Sequence, residues 1–236
     1  MKKFLILVAA AALLVSCGSA SKLTRGEVYA PLYNEAPVTL LVMPPINNTA
    51  NVEAKDLLYT SISRPLVEAG YYVLLPILTM DILKAESAYD AELFFEAPVG
   101  QFGAVFGADA VIFSVIDKWA KQGVGISAKI RYVMRSTRTN EVLFDRSCDL
   151  FLDTSVRTGG NSGLLGLVLD AALTAVNTAL TDHIEAARKA NNFIFSDIPF
   201  GKFSPLYQQD QDWKAEPANV KATVWKRRCW DNETLV

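Results

Sequence analysis

The run Ala110-Val-Ile-Phe-Ser-Val-Ile116 constrains this chain more than any other stretch of it. It is almost wholly apolar and rich in β-branched residues, the composition of a strand buried on both faces at the centre of a sheet. Such a strand needs packed layers above and below it, so the remaining segments have to supply helices as well as further strands.

Val38 to Met43 is a second short apolar run, stopped by Pro44-Pro45, and predicts another strand buried on both faces. The loop Ile46 to Asn51 offers Asn and Thr side chains to cap a helix start. Ala54, Leu57, Leu58, Ile62, Leu66 and Ala69 then recur at helical spacing up to Gly70, a natural C-terminal stop. Pro65 inside that run predicts a kink or boundary near Arg64. Tyr71 to Leu75 predicts a strand, and Ile77 to Ala85 and Val99 to Phe106 predict short helices, the latter closing at Gly107. Ile126, Ala128, Ile130, Tyr132 and Met134 alternate with Ser127, Lys129, Arg131, Val133 and Arg135, the period of a strand covered on one face only. Thr137 to Asn140 predicts a turn, with Val142, Phe144, Cys148 and Leu150 beginning the returning strand of a hairpin. The expected fold class is α/β: a mixed sheet with a β-α-β start plus an antiparallel hairpin, packed against helices, with a long C-terminal helix and an irregular tail.

That long helix is read from Leu164, after the break Gly159-Gly160-Asn161-Ser162-Gly163. Asp170, Thr174, Asn177 and Thr181 form one polar stripe along it, which suits a core helix better than a lipid-facing one. Running to about Ala190, it is about 40 Å long. Residues 191–236 lose periodicity and are expected to lie over the domain, held by Phe193, Phe195, Phe200, Phe203 and Tyr207.

The N-terminus reads as a secretion signal over residues 1–16. Lys2 and Lys3 form its basic start, and Phe4 to Val15 an apolar stretch of about a dozen residues, too short to span a bilayer. Leu14-Val15-Ser16-Cys17-Gly18 resembles the lipobox of bacterial lipoproteins, so Cys17 is expected to carry the lipid and residues 17–36 to tether it to a domain over residues 37–190. Several acyl chains on one residue anchor stably. Gly18 stands where an Asp commonly retains lipoproteins in the inner membrane, and no acidic cluster follows Cys17. The expected location is the outer membrane, periplasmic face.

With 236 residues and a net charge of −2, the chain can bury a core without staples and lacks the basic footprint that nucleic acid rewards. Apart from Cys17 there are two cysteines, Cys148 and Cys229, and the periplasm is oxidising enough to keep a disulfide. Sequence leaves open a bridge tying the tail to the core or two separate thiols.

Val42-Met43-Pro44-Pro45-Ile46-Asn47, then Ser63-Arg64-Pro65-Leu66-Val67-Glu68-Ala69-Gly70-Tyr71-Tyr72-Val73-Leu74-Leu75-Pro76, then Asn161-Ser162-Gly163-Leu164-Leu165-Gly166 with Leu180-Thr181-Asp182, occur in this order. Together with the lipobox they resemble a family of bacterial lipoproteins of unknown function that includes a meningococcal vaccine-candidate antigen. The likeness covers about residues 38–190. It implies a fold similar to the N-terminal domain of the Tol-Pal translocation protein and to the periplasmic domain of the curli secretion channel, and a channel-like lipoprotein as an expected partner. Residues beyond about 205, with Trp213, Trp225 and the basic run Lys226-Arg227-Arg228, depart from the family pattern.

No nucleophile elbow, zinc-type His pair or phosphate loop is present to build a catalytic constellation. His183, the one histidine, sits where a helix-end cap explains it. Asn161 to Gly166 offers either exposed amides for an anion or close helix packing, and Lys226-Arg227-Arg228 either a site for an acidic partner or lipid headgroups or a solvated face. The leading expectation is a non-enzymatic periplasmic binding and assembly lipoprotein, free of metal and cofactor, contacting a partner in envelope biogenesis or secretion. Pro44, Pro45, Asn47, Asn161 and Ser162 are its candidate partner surface, alongside membrane attachment through Cys17. The alternative is an envelope enzyme or ligand-binding domain acting on a cell-wall or lipid component, and a third reading is self-association as a structural ring component.

Overall fold

The computed structural model describes residues 23–123, 125–153 and 183–225. Two short helices come first, α1 (Arg25–Val28) and α2 (Ala30–Glu35). Thr24 and Glu27 form a capping box: the Thr24 side chain accepts from the Glu27 amide, and the Glu27 carboxylate accepts from the Thr24 amide at 2.8 Å. Tyr29 and Leu32, three residues apart, are buried in the core. This corrects the tether expected over residues 17–36, because from Thr24 onward the segment is part of the packed body.

β1 (Thr39–Val42) follows, then β2 (Ile46–Asn47), both parallel to the same long strand, β4 (Ala110–Gln122). Pro44 and Pro45 interrupt that pairing, since proline brings no amide to a ladder. The predicted helical run becomes α3 (Glu53–Ser61) and α4 (Ser63–Glu68), broken at Ile62. Pro65 has no N–H to give to the carbonyl four residues back, so the break falls where the proline requires it. Gly70 ends α4 at φ +93°, the left-handed region, and leads into β3 (Tyr72–Val73). A Cβ on Gly70 would lie 2.4 Å from the Ser204 amide nitrogen, so the later chain packs directly on this turn.

α5 (Pro76–Ala85), α6 (Glu92–Phe95) and α7 (Gly100–Phe106) then cross one face of the sheet, α7 ending at Gly107 with φ +65°. β4, β5 (Gly125–Ser136) and β6 (Val142–Asp153) form a long antiparallel meander. α8 (His183–Phe195) packs on the opposite face, and β7 (Asn219–Trp225) closes the sheet parallel to β6. The seven strands run in the order β3-β1-β4-β5-β6-β7, with β2 beside β4. The Ala110–Ile116 run is thus central, flanked by β1 and β2 on one side and β5 on the other.

Alternation along β1 and β4 divides the core. Leu40, Val42 and Ile112 face α3, α4 and α8 together with Tyr132 and Phe144, whereas Leu41, Met43, Val111 and Phe113 face Leu83 of α5 and Phe102 of α7. Both faces are covered at β1 and β4, while the second face of β5 and β6 carries the exposed pair Arg131 and Asp145. That is why one strand reads as a continuous apolar run and the next as an alternation.

Three features of the C-terminal part differ from the sequence expectation. The helix continues through Phe195, placing Asn191 inside it, and the tail contributes a strand, visible in retrospect as Val220, Ala222 and Val224 alternating with Lys221 and Thr223. Phe203, expected to hold the tail down, is 66% exposed. The predicted start of the long helix and its polar stripe lie outside the described residues.

Candidate functional site

The Pro44–Asn51 loop is built to hold its own shape. Asn47 Oδ1 accepts from the Thr49 amide and hydroxyl at 3.1 and 2.8 Å, and Asn47 Nδ2 donates to the Asn51 carbonyl at 2.8 Å. Asn51 Oδ1 accepts from the Ala54 amide at 3.0 Å, the expected cap on α3. Pro44 and Pro45 are buried and Asn47 is half-buried with its side chain committed to this turn. This corrects their reading as partner surface: a side chain that is inside the fold or locked to its own loop has nothing to offer a partner. Asn161 and Ser162 lie outside the described residues, as do Cys17 and Cys229.

Cys148 is buried on the core side of β6, and burial pushes its thiol up to about 12. A thiol so held stays protonated and makes a poor nucleophile. His183, at the described start of α8, accepts a hydrogen bond at Nδ1 from the Trp119 indole N–H at 2.9 Å. That bond makes His183 a packing contact between α8 and β4.

Sequence reasoning missed a buried ionic cluster. Arg25 of α1 donates through Nε to Asp197 at 3.0 Å, through Nη1 to Asp210 at 2.9 Å, and through Nη2 to the Ser196 carbonyl at 3.1 Å. Asp197 Oδ2 also accepts from the Tyr29 hydroxyl at 2.8 Å and the Glu216 amide at 2.9 Å. The guanidinium lies 5.2 Å from the Trp213 ring and 6.0 Å from that of Phe200. Burial, reinforced by the Asp197 charge, holds the Tyr29 hydroxyl firmly protonated. Backbone bonds extend the contact: Arg25 N–H to Trp213 at 2.8 Å, Gly26 N–H to Gln211 at 2.9 Å and Ala215 N–H to Leu23 at 2.9 Å. The cluster clamps the first described residues to the segment 196–216. Its partners are about 170 to 185 positions apart in the chain, so no local pattern announces it.

A second polar node joins α8 to the rest. Asn191 is fully buried, donates to the Leu58 carbonyl at 3.2 Å and the Ser61 hydroxyl at 2.8 Å, and accepts from the Tyr132 hydroxyl. Ala186, Ala187 and Ala190 beside it let the helix approach α3 closely. Between α4 and α8 runs an open groove. One part, of about 310 Å³, is lined by Pro65, Ala69, Phe195 and Ile198, and another, of about 250 Å³, by Ser61, Arg64, Arg188 and Lys189. Among the described residues Ser61 is the one hydroxyl lining the second part; it donates to the Leu57 carbonyl at 2.7 Å, and no described histidine lines that part.

The most unusual surface is the outer side of α5. Leu75 is 62% exposed, Ile77 74%, Leu78 58% and Ile82 45%, and Tyr72 on the neighbouring strand β3 is 57% exposed. Among the described residues β3 ends the sheet, so this apolar face borders a strand edge that no described strand pairs. A short helix is predicted here from Ile77 to Ala85, and only the packing reveals that Thr79 and Leu83 are the residues turned inward.

Comparison with known proteins finds one matching family, a relative in sequence and several similar solved structures. The family described as "Putative lipoprotein GNA1162-like" matches residues 28–198. A lipoprotein of Neisseria meningitidis serogroup B (strain MC58), NMB1124/NMB1162, is 29% identical over 189 residues, covering 76% of this chain and 84% of its own. The crystal structure of lipoprotein GNA1162 from Neisseria meningitidis aligns with a TM-score of 0.46 at 24% identity, over 59% of this chain and 98% of that one. A PelC dodecamer from Paraburkholderia phytofirmans aligns with a TM-score of 0.34 at 15% identity, over 74% and 93%. The LpoB C-terminal domain from Salmonella enterica aligns with a TM-score of 0.31 at 13% identity, over 52% and 95%.

Proposed function

This chain belongs to the GNA1162-like lipoprotein family, and on that premise we propose that it works as a lipid-anchored, non-catalytic binding and assembly protein that contacts a partner in envelope biogenesis or secretion. The observation that carries the reading is the exposed apolar face of α5 beside that edge of β3. Large contiguous apolar surface on a folded domain marks an interaction site, and here no segment of the described chain covers it.

The proposed anchor is Cys17, at the periplasmic face of the outer membrane. Thr24 is seven residues further on, so an acylated Cys17 keeps the start of the body within about 25 Å of the lipid. The Arg25 clamp supports this arrangement physically: it ties that start to the segment 196–216, so a hold on the first residues is a hold on the whole domain.

A photo-crosslinking residue placed at Leu78 in the lipid-bearing chain, expressed in its native host, tests the reading. Adducts with an envelope protein are expected from position 78 and absent from position 129, since exposed Lys129 lies on β5, away from α5. A membrane fraction that holds the native chain and loses the Cys17→Ser variant is expected alongside. No adduct at position 78, or equal adducts at both positions, overturns the reading.

A further inference from the structure

We infer that the end of the molecule carrying Leu23, Trp213 and Lys214 lies against the bilayer, with Trp213 seated among the phospholipid headgroups. The inference rests on the reading of Cys17 as the anchor and adds which face of the domain that anchor presents to the membrane.

Reach sets the first limit. Leu23 is six residues on from Cys17, so even a fully extended chain holds it within about 20 Å of the lipid. A folded domain of this size is about 40 Å across. The leash is therefore too short for the far side of the body to turn to the bilayer, and the side that bears Leu23 stays near it.

The pairing of two distant segments fixes what else stands on that side. Thr24 and Lys214 form an antiparallel bridge. It is flanked by bonds from the Arg25 N–H to the Trp213 carbonyl at 2.8 Å and from the Ala215 N–H to the Leu23 carbonyl at 2.9 Å. That register sets Leu23 and Trp213 diagonally across the pairing, a separation that large side chains can span. Trp213 is also held through its ring, 5.2 Å from the Arg25 guanidinium and edge-on to Phe200 at 5.8 Å. So although Trp213 is far from Cys17 along the chain, the fold keeps it at the anchored end.

What these residues expose suits a boundary between hydrocarbon and water. Leu23 is 58% exposed and Trp213 46%. Half of the indole is packed on the clamp and half is left outside, and a ring that is apolar with one polar N–H favours the membrane interface. Lys214 is exposed next to it, on a stem long enough to keep its ammonium among headgroup phosphates. Asp212 and Glu216 are exposed close by in the chain, so net charge supplies little attraction and the contact rests on the two apolar side chains. A small patch is enough for this task. The acyl chains already hold the domain at the surface, and the patch only selects its orientation there.

Photo-crosslinking to lipid tests it, on the full lipid-bearing chain purified from its native host and reconstituted in vesicles of phosphatidylethanolamine and phosphatidylglycerol. A benzophenone-bearing residue replaces Trp213 or, for comparison, the exposed Leu78 or Lys129. Peptides that gain the mass of one phospholipid are expected several-fold more often from position 213 than from 78 or 129, at high salt as at low salt. A second readout uses phospholipids brominated near the headgroup end of their acyl chains, which quench tryptophan fluorescence on contact. The quenched fraction is expected to fall in Trp213→Phe, a variant that keeps an aromatic ring over Arg25 and whose unchanged thermal unfolding curve shows that it folds.

Equal adducts at the three positions, a preference for 78 or 129, or quenching that Trp213→Phe leaves unchanged overturns the inference. Adducts at 213 that high salt abolishes overturn it as well, since they report a contact made by charge. Flotation with the vesicles separates the two levels. A chain that does not float removes the anchor and this inference together, whereas a chain that floats and shows no preference for 213 removes this inference alone.

Discussion

Charge lies inside this molecule at Arg25, and hydrocarbon lies outside it at α5. Both regions invert the usual arrangement, and they do so for opposite reasons. The Arg25 side chain is 8% exposed and meets Asp197 and Asp210, whose side chains are 2% and 0% exposed, with the remaining atoms of the group largely satisfied by backbone and Tyr29. Its charges find their counter-charges within the chain. Leu75, Ile77, Leu78 and Ile82 are left without such partners among the described residues, which points outward to another molecule. A buried charge explains itself by its partners; an exposed apolar face asks for one.

The sharpest way to break this contrast is to remove one partner from the clamp. Asp197→Ala leaves the guanidinium short of a counter-charge and orphans the Tyr29 hydroxyl and the Glu216 amide, so it should destabilise the fold by about 3–5 kcal/mol in urea unfolding. A loss under 1 kcal/mol would mean that water reaches the cluster and that its charges are not held as described. Gly70→Ala is the next largest effect. With φ at +93° and Ser204 in the way, it should cost more than the ~1 kcal/mol of an ordinary strained substitution and expose residues 201–204 to protease. Unchanged proteolysis would separate the turn from the tail.

Leu78→Lys with Ile82→Lys supplies the opposite case. Both side chains stand in solvent in the single chain, so unfolding should shift by no more than about 0.5 kcal/mol for each while association with the partner is lost. Marked destabilisation would show that the helix face is covered within the chain. The smallest effect concerns Cys148. Its thiol stays protonated at neutral and mildly alkaline pH, so alkylation at pH 8, followed by peptide mass spectrometry, should label it only in denaturant. Labelling of the native chain would require β6 to open locally.

These comparisons also show which parts of the fold were legible beforehand. The strand at Ala110–Ile116, the break forced by Pro65 and the stops at Gly70 and Gly107 are local matters, where steric limits and periodicity act over a few residues. The strand Asn219–Trp225 was legible too, in its alternation, but its setting among Pro, Asp and Gln obscured it. Thr24-x-x-Glu27 was a readable helix start that the expected tether hid. Pro44 and Pro45 misled for a different reason: their residue types suggest a surface loop, whereas β2 resumes the pairing with β4 and draws them inward.

The class of fold, its central strand, its antiparallel hairpin and the likeness to a lipoprotein family are all readable from the chain alone, because each depends on residues close together in it. That Arg25 finds Asp197 and Asp210, and that Thr79 and Leu83 rather than Leu78 and Ile82 face the core, follows only from the folded arrangement. An ion cluster is assembled by contacts between distant segments, and a helix apolar all round takes its buried side from whatever packs against it. Both are properties of neighbours in space, and periodicity along one segment carries no information about them.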